Sequence, residues 1–591
     1  MSSKFTFPHV NITTKALASR KPTVTVNTNT RLFAPFVSSK GPENEVVVVE
    51  NFTDFKNIYG NLDYTKLGQE QILNIGQWFS AGGVVLAFRM TQNIETYIKV
   101  SSEGNAGNLA PGTSTDSTEE GTSDNILLGY AHGEQAMYTK KDDLGETLDV
   151  KKITVYAKDP GIAFNNYKVT MSYTPATSLD KILFNITVID NLQRTVEYKR
   201  NIRYTEMYLY CKQSDYIASI TFDDGIEDIL VDSSKYADLT TVINIVLNGG
   251  EDFDVASYIT PSEQEESKGI DENYKYGDLI KNTLNFALKQ SLETPCDVFI
   301  DPGYHKTVKQ AISEFFFGQS EETASSYHRD DIYVYMSDVF IDKGKYKEKY
   351  SVDDIMCSRK ISVASSGGET STTVDIESAM VYKTLQTVTH YFKAEDPYYN
   401  GSGSREVYYP LTFFIAGLVP YWDRMQGCQK PLAGKERGFI GTNSDITWVN
   451  RIPTNIEKQE FKDNHINYIE KENDSYYIML QDTQFINDDG EETALRSGAH
   501  VRVLLKIQRD LKSICRKFLH EENDAITKRQ ILNECVAYLD TYVKNRTFKM
   551  YDINIYDSEQ VSSLLDKELL VTMSVKFINH VEIVDLDFTV E

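Results

Sequence analysis

Residues 584–591 read VDLDFTVE, and the interpretation of the whole chain depends on this stretch. Its apolar residues alternate with Asp, Asp and Thr, which is the period-two pattern of a β-strand with one apolar face. The apolar set is Val584, Leu586, Phe588 and Val590. Soluble proteins cover free strand edges or pair them with another chain, because an open edge invites aggregation. This strand therefore needs a partner.

Two other stretches offer strands near the chain ends. A second period-two run lies just upstream and consists of Leu569, Val571, Met573, Val575 and Phe577. Near the start, Val10 and Ile12 belong to a short extended arm, which Pro8 keeps from being helical. From these residues alone, an intramolecular hairpin of the two C-terminal runs is the simplest arrangement, and exchange of strands with neighbouring molecules is the alternative.

Composition excludes several functional classes. A net charge of −25 disfavours binding to nucleic acid or anionic lipid, so we expect no nucleic-acid partner. No window approaches the roughly 18 apolar residues of a membrane span, and the N-terminus lacks a signal-peptide core, so we expect no membrane insertion. The 6 scattered cysteines predict reduced thiols and folding in the cytoplasm.

The order of elements predicts an α/β (α+β) multidomain protein. Residues 45–50 hold four consecutive valines, helix-like segments follow at 52–60 and 69–79, and residues 84–90 form an apolar strand. A low-complexity stretch, 101–125, is predicted to be an exposed mobile loop. Short alternating strands then predict an inserted β-rich domain, at residues 153–157, 167–173, 182–189 and 196–203.

The predicted domains follow from these breaks. They are an N-terminal arm at 1–22, a first core part at 23–95, the inserted β-rich domain at 96–272, a second core part at 273–495 and a C-terminal polymerisation domain at 496–591. The core is thus expected to be assembled from N- and C-terminal parts of the chain. In the second part, residues 276–291, 307–317 and 378–392 are predicted helices, the last with Val381, Leu385, Val388 and Phe392 on one face.

One helix is unusually basic for an acidic chain. Its cations lie opposite an apolar face, and they are Arg502, Lys506, Arg509, Lys512 and Arg516. They form either a solvated face or a docking face for an acidic partner. A further amphipathic helix is predicted around residues 532–542.

No motif predicts chemistry. Residues 401–404 (GSGS) are not followed by the Lys-Ser/Thr of a phosphate loop, and the Asp-Asp-Gly pairs lack the spacing of a calcium loop. We therefore expect no catalytic, cofactor-binding or metal-binding residues and no enzyme activity.

A series of landmarks resembles the contractile tail sheath proteins of bacteriophages. In order along the chain they are residues 8–13 (PHVNIT), 41–49 (GPENEVVVV), 52–60 (FTDFKNIYG), 79–85 (FSAGGVV), 159–166 (DPGIAFNN), 415–423 (IAGLVPYWD), 430–434 (KPLAG) and 465–469 (HINYI). Each landmark is short, so their order is the main support for the resemblance. His9 departs from the pattern, because the family has glycine in the arm.

The resemblance implies a mechanism and a set of partners. Sheath subunits polymerise as stacked rings around a tail tube, and each subunit donates its terminal strands to sheets of its neighbours. Val10, Ile12, Val584, Leu586, Phe588 and Val590 would then be donors, the strand from Leu569 to Phe577 an acceptor, and the basic helix the face toward the tube. The implied partners are the chain itself, the tail tube protein, and baseplate and terminator or neck proteins, in a virion assembled in the host cytoplasm. The alternatives are the sheath of a bacteriocin-type or secretion-type injection machine, or a glycan-binding or hydrolytic virion protein.

Overall fold

The computed structural model describes most of the chain. The described residues are 13–14, 30–102, 128–141, 147–174, 176–231, 240–259, 274–288, 294–317, 329, 331–337, 360–364, 371–375, 381–399, 401–485 and 493–580. The predicted donors Val10, Ile12, Val584, Leu586, Phe588 and Val590 lie outside these ranges, as do residues 103–125 of the predicted loop. Their roles remain predictions.

Strands occur along the whole described chain. They are β1 (Thr13–Thr14), β2 (Arg31–Phe36), β3 (Val46–Val49), β4 (Val84–Arg89), β5 (Tyr130–Lys141), β6 (Thr147–Pro160), β7 (Lys168–Thr174), β8 (Leu183–Ile189), β9 (Thr195–Arg203), β10 (Ile217–Phe222), β11 (Val242–Val246), β12 (Val298–Ile300), β13 (Tyr333–Ser337), β14 (Lys360–Ala364), β15 (Ser371–Asp375), β16 (Leu385–Val388), β17 (Tyr391–Glu395), β18 (Glu406–Pro410), β19 (Phe439–Thr442), β20 (Ile446–Val449), β21 (Ile466–Asn467), β22 (Ile469–Glu472), β23 (Ser475–Ile478), β24 (Phe548–Tyr556) and β25 (Leu570–Phe577).

Helices alternate with these strands. They are α1 (Phe52–Tyr59), α2 (Ile72–Ser80), α3 (Ile94–Ser102), α4 (Met207–Gln213), α5 (Ile226–Val231), α6 (Ala256–Ile259), α7 (Tyr274–Ala287), α8 (Lys306–Phe317), α9 (Leu411–Gln426), α10 (Gly434–Arg437), α11 (Asn455–Asp463), α12 (Gly498–Arg516) and α13 (Ala525–Lys544). Asn51 caps α1, because its side-chain oxygen accepts a hydrogen bond from the Asp54 amide at 2.8 Å.

The chain divides into two compact units. Unit 1 comprises Met1–Ala34, Leu73–Leu86 and Tyr258–Glu591, and unit 2 comprises Pro35–Ile72 and Ala87–Ser257. These limits differ from the predicted domain boundaries, because Pro35–Ile72 is grouped with the inserted segment rather than with the core.

Unit 1 is built on a largely parallel sheet. Strands β21, β16, β13, β12, β2 and β4 are neighbours in that order, and β2 and β4 continue across the limits of the unit. The pairs with a defined register, from β21 through β2, are all parallel. The rings of Phe299 in β12 and Phe316 in α8 lie 5.6 Å apart and pack helix on sheet. The predicted α/β core assembled from both ends of the chain is confirmed.

The helix predicted at residues 378–392 is wrong. A 3-10 turn at Val381–Thr384 is followed by two strands, β16 and β17. All four residues of β16 are buried, and parallel neighbours pair with both of its edges. Two of the four, Gln386 and Thr387, are polar, and the buried Gln386 side chain accepts a hydrogen bond from the Tyr333 hydroxyl at 2.9 Å. These buried polar residues leave Leu385, Val388 and Phe392 at spacings of three and four, which imitate a helical stripe.

Unit 2 holds the predicted β-rich insertion, which is confirmed. Strands β10, β6 and β5 form one antiparallel sheet, and β11, β7, β8 and β9 form another. Residues from both sheets share one hydrophobic core, and Val155, Met171 and Ile186 are among its fully buried members. The alternation of buried and half-buried residues along β7 and β8 produces the period-two pattern seen in the sequence.

A buried arginine joins two of the sequence landmarks within unit 2. Arg89 is 1% exposed and donates hydrogen bonds to the backbone oxygens of Ser38, Gly41 and Pro160, at 2.6 to 3.0 Å. The Asp159 carboxylate accepts from the Gly41 amide at 2.9 Å. Residues 41–49 and 159–166 are therefore neighbours in space, and the hydrogen bonds of Arg89 and Asp159 join them.

Candidate strand-exchange site

The C-terminal part of unit 1 ends in a β-hairpin. β24 and β25 pair antiparallel, with Tyr551 opposite Val575, Ile553 opposite Met573 and Tyr556 opposite Leu570. Residues 570–577 of the predicted strand form β25, and β24 is its antiparallel partner. This pairing covers one edge of β25.

One face of the hairpin is fixed by a hydrophobic core. The buried residues of α12, α13, β24 and β25 form a single cluster, which includes Ile507, Leu511, Leu539, Tyr551 and Val575. Each large side chain that is fully buried contributes roughly 1.5–3 kcal/mol. The hairpin is thus a rigid platform, and strands added to its edges would extend a sheet that already has a packed face.

The other edge of β25 pairs with the beginning of the chain. β1 runs parallel to β25, with Thr13 opposite Thr572 and Thr14 opposite Met573. The three strands are ordered β1, β25, β24. Thr13 and Thr14, which directly follow the predicted donor Ile12 in the sequence, therefore lie on the predicted acceptor strand.

β24 forms the far edge of this sheet. Among the described residues, no strand pairs with its outer side. The exposed residues of this nine-residue strand include Lys549, Asp552 and Asn554, and such polar groups protect an edge from random pairing. Within the described residues, this edge is the candidate position for a donated strand.

Helix α12 supports the hairpin, and its basic residues have two different environments. Arg502 is 7% exposed and forms an ion pair with the Asp423 carboxylate of α9. The Thr30 hydroxyl donates to the same carboxylate at 2.8 Å. Burial acts to lower the pKa of Arg502, but Asp423, with Tyr335 and Cys428, holds it above the usual value, so the guanidinium stays charged.

Arg509 is likewise committed within the subunit. It forms an ion pair with Asp297 and donates to the backbone oxygens of Cys296 and Asp331, both at 3.0 Å. Asp297 also accepts from the Arg31 amide at 2.8 Å. Arg509 therefore ties α12 to the ends of neighbouring strands, and neither it nor Arg502 is available to a partner.

The rest of the basic face is more accessible. Lys506 is paired with Asp510 at 3.7 Å and is 29% exposed, Lys512 is half-buried, and Arg516 is exposed. The predicted docking face is thus reduced to the outer part of the helix, and contact of that part with a tube remains a prediction.

Several important residues were not singled out in the sequence. β24 was missed because a bulge between Phe548 and Met550 interrupts its alternation, although Tyr551, Ile553 and Ile555 keep the period-two pattern. Asp423 closes the landmark at 415–423, and its contacts with Arg502 and Thr30 explain its place there.

Neither metal nor membrane chemistry is indicated in the described ranges. No group of three or more His, Cys, Asp or Glu side chains is arranged there to hold a metal ion. The helices of those same ranges include no candidate membrane span.

Comparison with solved structures identifies the fold. A sheath tail protein from Listeria innocua matches with a TM-score of 0.50 and 12% identity, over 95% of this chain and 97% of that chain. A sheath tail protein from Desulfitobacterium hafniense matches with a TM-score of 0.42 and 10% identity, over 96% of this chain and 100% of that chain. The sheath complex of an extracellular contractile injection system in its contracted state matches with a TM-score of 0.40 and 11% identity, over 100% of this chain and 99% of that chain. No family model and no curated protein matches the sequence. The chain has the fold of a sheath tail protein.

Proposed function

We propose that this chain is the structural subunit of a contractile tail sheath. In this proposal it polymerises as stacked rings around a tail tube through exchanged terminal strands, and contraction drives the tube through a host envelope. The proposed partners are further copies of the chain, the tube protein, and the baseplate and terminator proteins. The proposed location is a phage virion assembled in the host cytoplasm.

The observation that carries the proposal is the three-stranded sheet β1, β25, β24. It has a packed core on one face, the start of the chain on one edge and, among the described residues, an uncovered strand on the other edge. A donated strand of about six residues adds several backbone hydrogen bonds, each worth roughly 0.5–1.5 kcal/mol. It also places alternate apolar side chains against the partner sheet.

Strand exchange also explains how a lattice could shorten without separating. A donated strand is joined to its own subunit by flexible backbone, so the subunit bodies can rotate while the pairing persists. The extended lattice would be a metastable packing that converts to a shorter and wider one.

The test is electron microscopy of the purified full-length protein, which is expected to show tubes. Deletion of residues 584–591 is expected to leave a folded monomer without tubes. A matched pair separates strand pairing from a general effect at this end. L586S/F588S should abolish tubes because it removes the apolar face, whereas D585S/D587S should retain them. Long tubes formed by the deletion variant would disprove donation by this end.

Two alternatives need other measurements. A neighbouring tube-protein gene together with capsid genes would favour a phage sheath, and a tube gene without capsid genes would favour a bacteriocin-type or secretion-type machine. Glycan binding or turnover by the purified monomer would favour the third class of protein.

A further inference from the structure

Three aromatic rings meet where the terminal segment leaves the hairpin. Phe577 ends β25, His580 follows three residues later, and the predicted terminal strand begins shortly after it. His500, in the first turn of α12, stacks on the Phe577 ring at 4.3 Å and on the His580 ring at 5.0 Å. The interplanar angles are 23° and 27°. His500 is 4% exposed.

The surroundings of this stack disfavour a positive charge. Burial, and then the neighbouring His580, lower the pKa of His500 to about 4. The N-terminal end of a helix acts in the same direction, because its dipole is unfavourable for cations. Burial, then Lys430, then Arg437 lower the pKa of His580. The backbone groups of Ile578, Ala494 and Gln429 act in the opposite direction but do not outweigh these effects.

We propose that the stack of Phe577, His500 and His580 is a proton-operated latch that holds residues 578–580 in place. With both imidazoles neutral, the rings stack and residues 578–580 are fixed against α12. Protonation places two cations 5.0 Å apart beside Lys430 and Arg437, so the rings separate and the root of the segment is released. The latch itself does not depend on the proposed function, but its consequence for assembly does.

The direction of the pH effect follows from linkage. A histidine whose folded pKa is below its unfolded value stabilises the closed state above pH 6.5, and this contribution is lost as the pH falls toward the folded value. For His500 the interval is 6.5 to about 4. The open fraction is then expected to rise about 30-fold between neutral pH and pH 5, with a limit of about 300-fold below pH 4.

Hydrogen exchange of the full-length protein tests the latch without requiring polymerisation. We expect amides of residues 578–580, corrected for the intrinsic pH dependence of exchange, to lose about 30-fold in protection between pH 7.5 and pH 5. Amides of β13, in the central sheet, should keep their protection over this interval. H500F keeps a stacking ring but cannot be protonated, so its protection should be nearly independent of pH.

Two further variants complete the experiment. H132F replaces a histidine that stacks on Tyr156 at 5.5 Å in unit 2, and it should retain the wild-type pH profile at residues 578–580. H580F, at the less enclosed member of the pair, should weaken the pH dependence even if H500F fails to fold. A flat profile in the wild type, or an unchanged profile in H500F and H580F, would overturn the latch.

Assembly provides a separate readout. Wild-type protein should form fewer tubes at pH 5 than at pH 7.5, and H500F should reduce this difference. If the exchange profile behaves as expected but tubes are absent at every pH, the latch stands and the proposed function fails.

Discussion

Replacing Arg502 by Met is predicted to destabilise unit 1 strongly. The Asp423 carboxylate is 7% exposed, and in this variant it keeps the Thr30 hydroxyl but loses its cation. Removing one member of a buried ion pair typically costs about 3–5 kcal/mol, because the remaining charge stays buried without compensation. The double variant R502M/D423L removes both charges and is predicted to be much closer to the wild type, with a small loss from the unpaired Thr30 hydroxyl.

The measurement is urea unfolding followed by tryptophan fluorescence. All 3 tryptophans, Trp78, Trp422 and Trp448, belong to unit 1, so the signal reports on that unit alone. The control is R516M, which removes an exposed cation from the same helix and should change the unfolding free energy by no more than about 0.5 kcal/mol. The reasoning fails if R502M unfolds like R516M, or if the double variant is as unstable as the single one.

Three further predictions test other parts of the molecule. G161A should lower the stability of unit 2 more than G225A does. Both glycines have positive φ, but only at Gly161 would the added Cβ meet a backbone oxygen, that of Ser39 at 2.3 Å. Hydrogen exchange of β6 measures the difference. K512E/R516E should weaken co-assembly with the tube protein while leaving the tryptophan unfolding transition in place, and unchanged co-assembly would make this face a solvated one. Burial, and then Arg451, lower the pKa of His390 to about 3, so unit 1 should lose stability as the pH falls from 6.5 toward 3. Urea unfolding at pH 7 and pH 5 should show a smaller decrease of the unfolding free energy in H390N than in the wild type.

Local patterns predicted the parts of the chain in which one face is buried. The strands β6 to β9 and the helices α1, α8 and α12 appear where the spacing of apolar residues places them. The pattern failed at β16, where both faces are buried, and at β24, where a bulge breaks the alternation. Apolar residues are periodic only where an element has one buried face and one solvent face. The period is therefore lost where both faces are buried, and it shifts by one residue at a bulge.

The sequence by itself determined that the chain is an acidic α/β protein with a β-rich insertion and strand-forming segments near both ends. Tertiary structure decided which strand pairs with which, and which charges remain at the surface. Arg502, Arg509 and Arg516 look alike on a helical wheel, yet two of them are held by Asp423 and Asp297 and only Arg516 is exposed. The strand at 569–577 likewise pairs with β24 on one edge and with Thr13–Thr14 on the other. The two arginine ion pairs and the pairing with Thr13–Thr14 join residues 79 to more than 550 positions apart, and contacts over such separations leave no periodic trace in a single sequence.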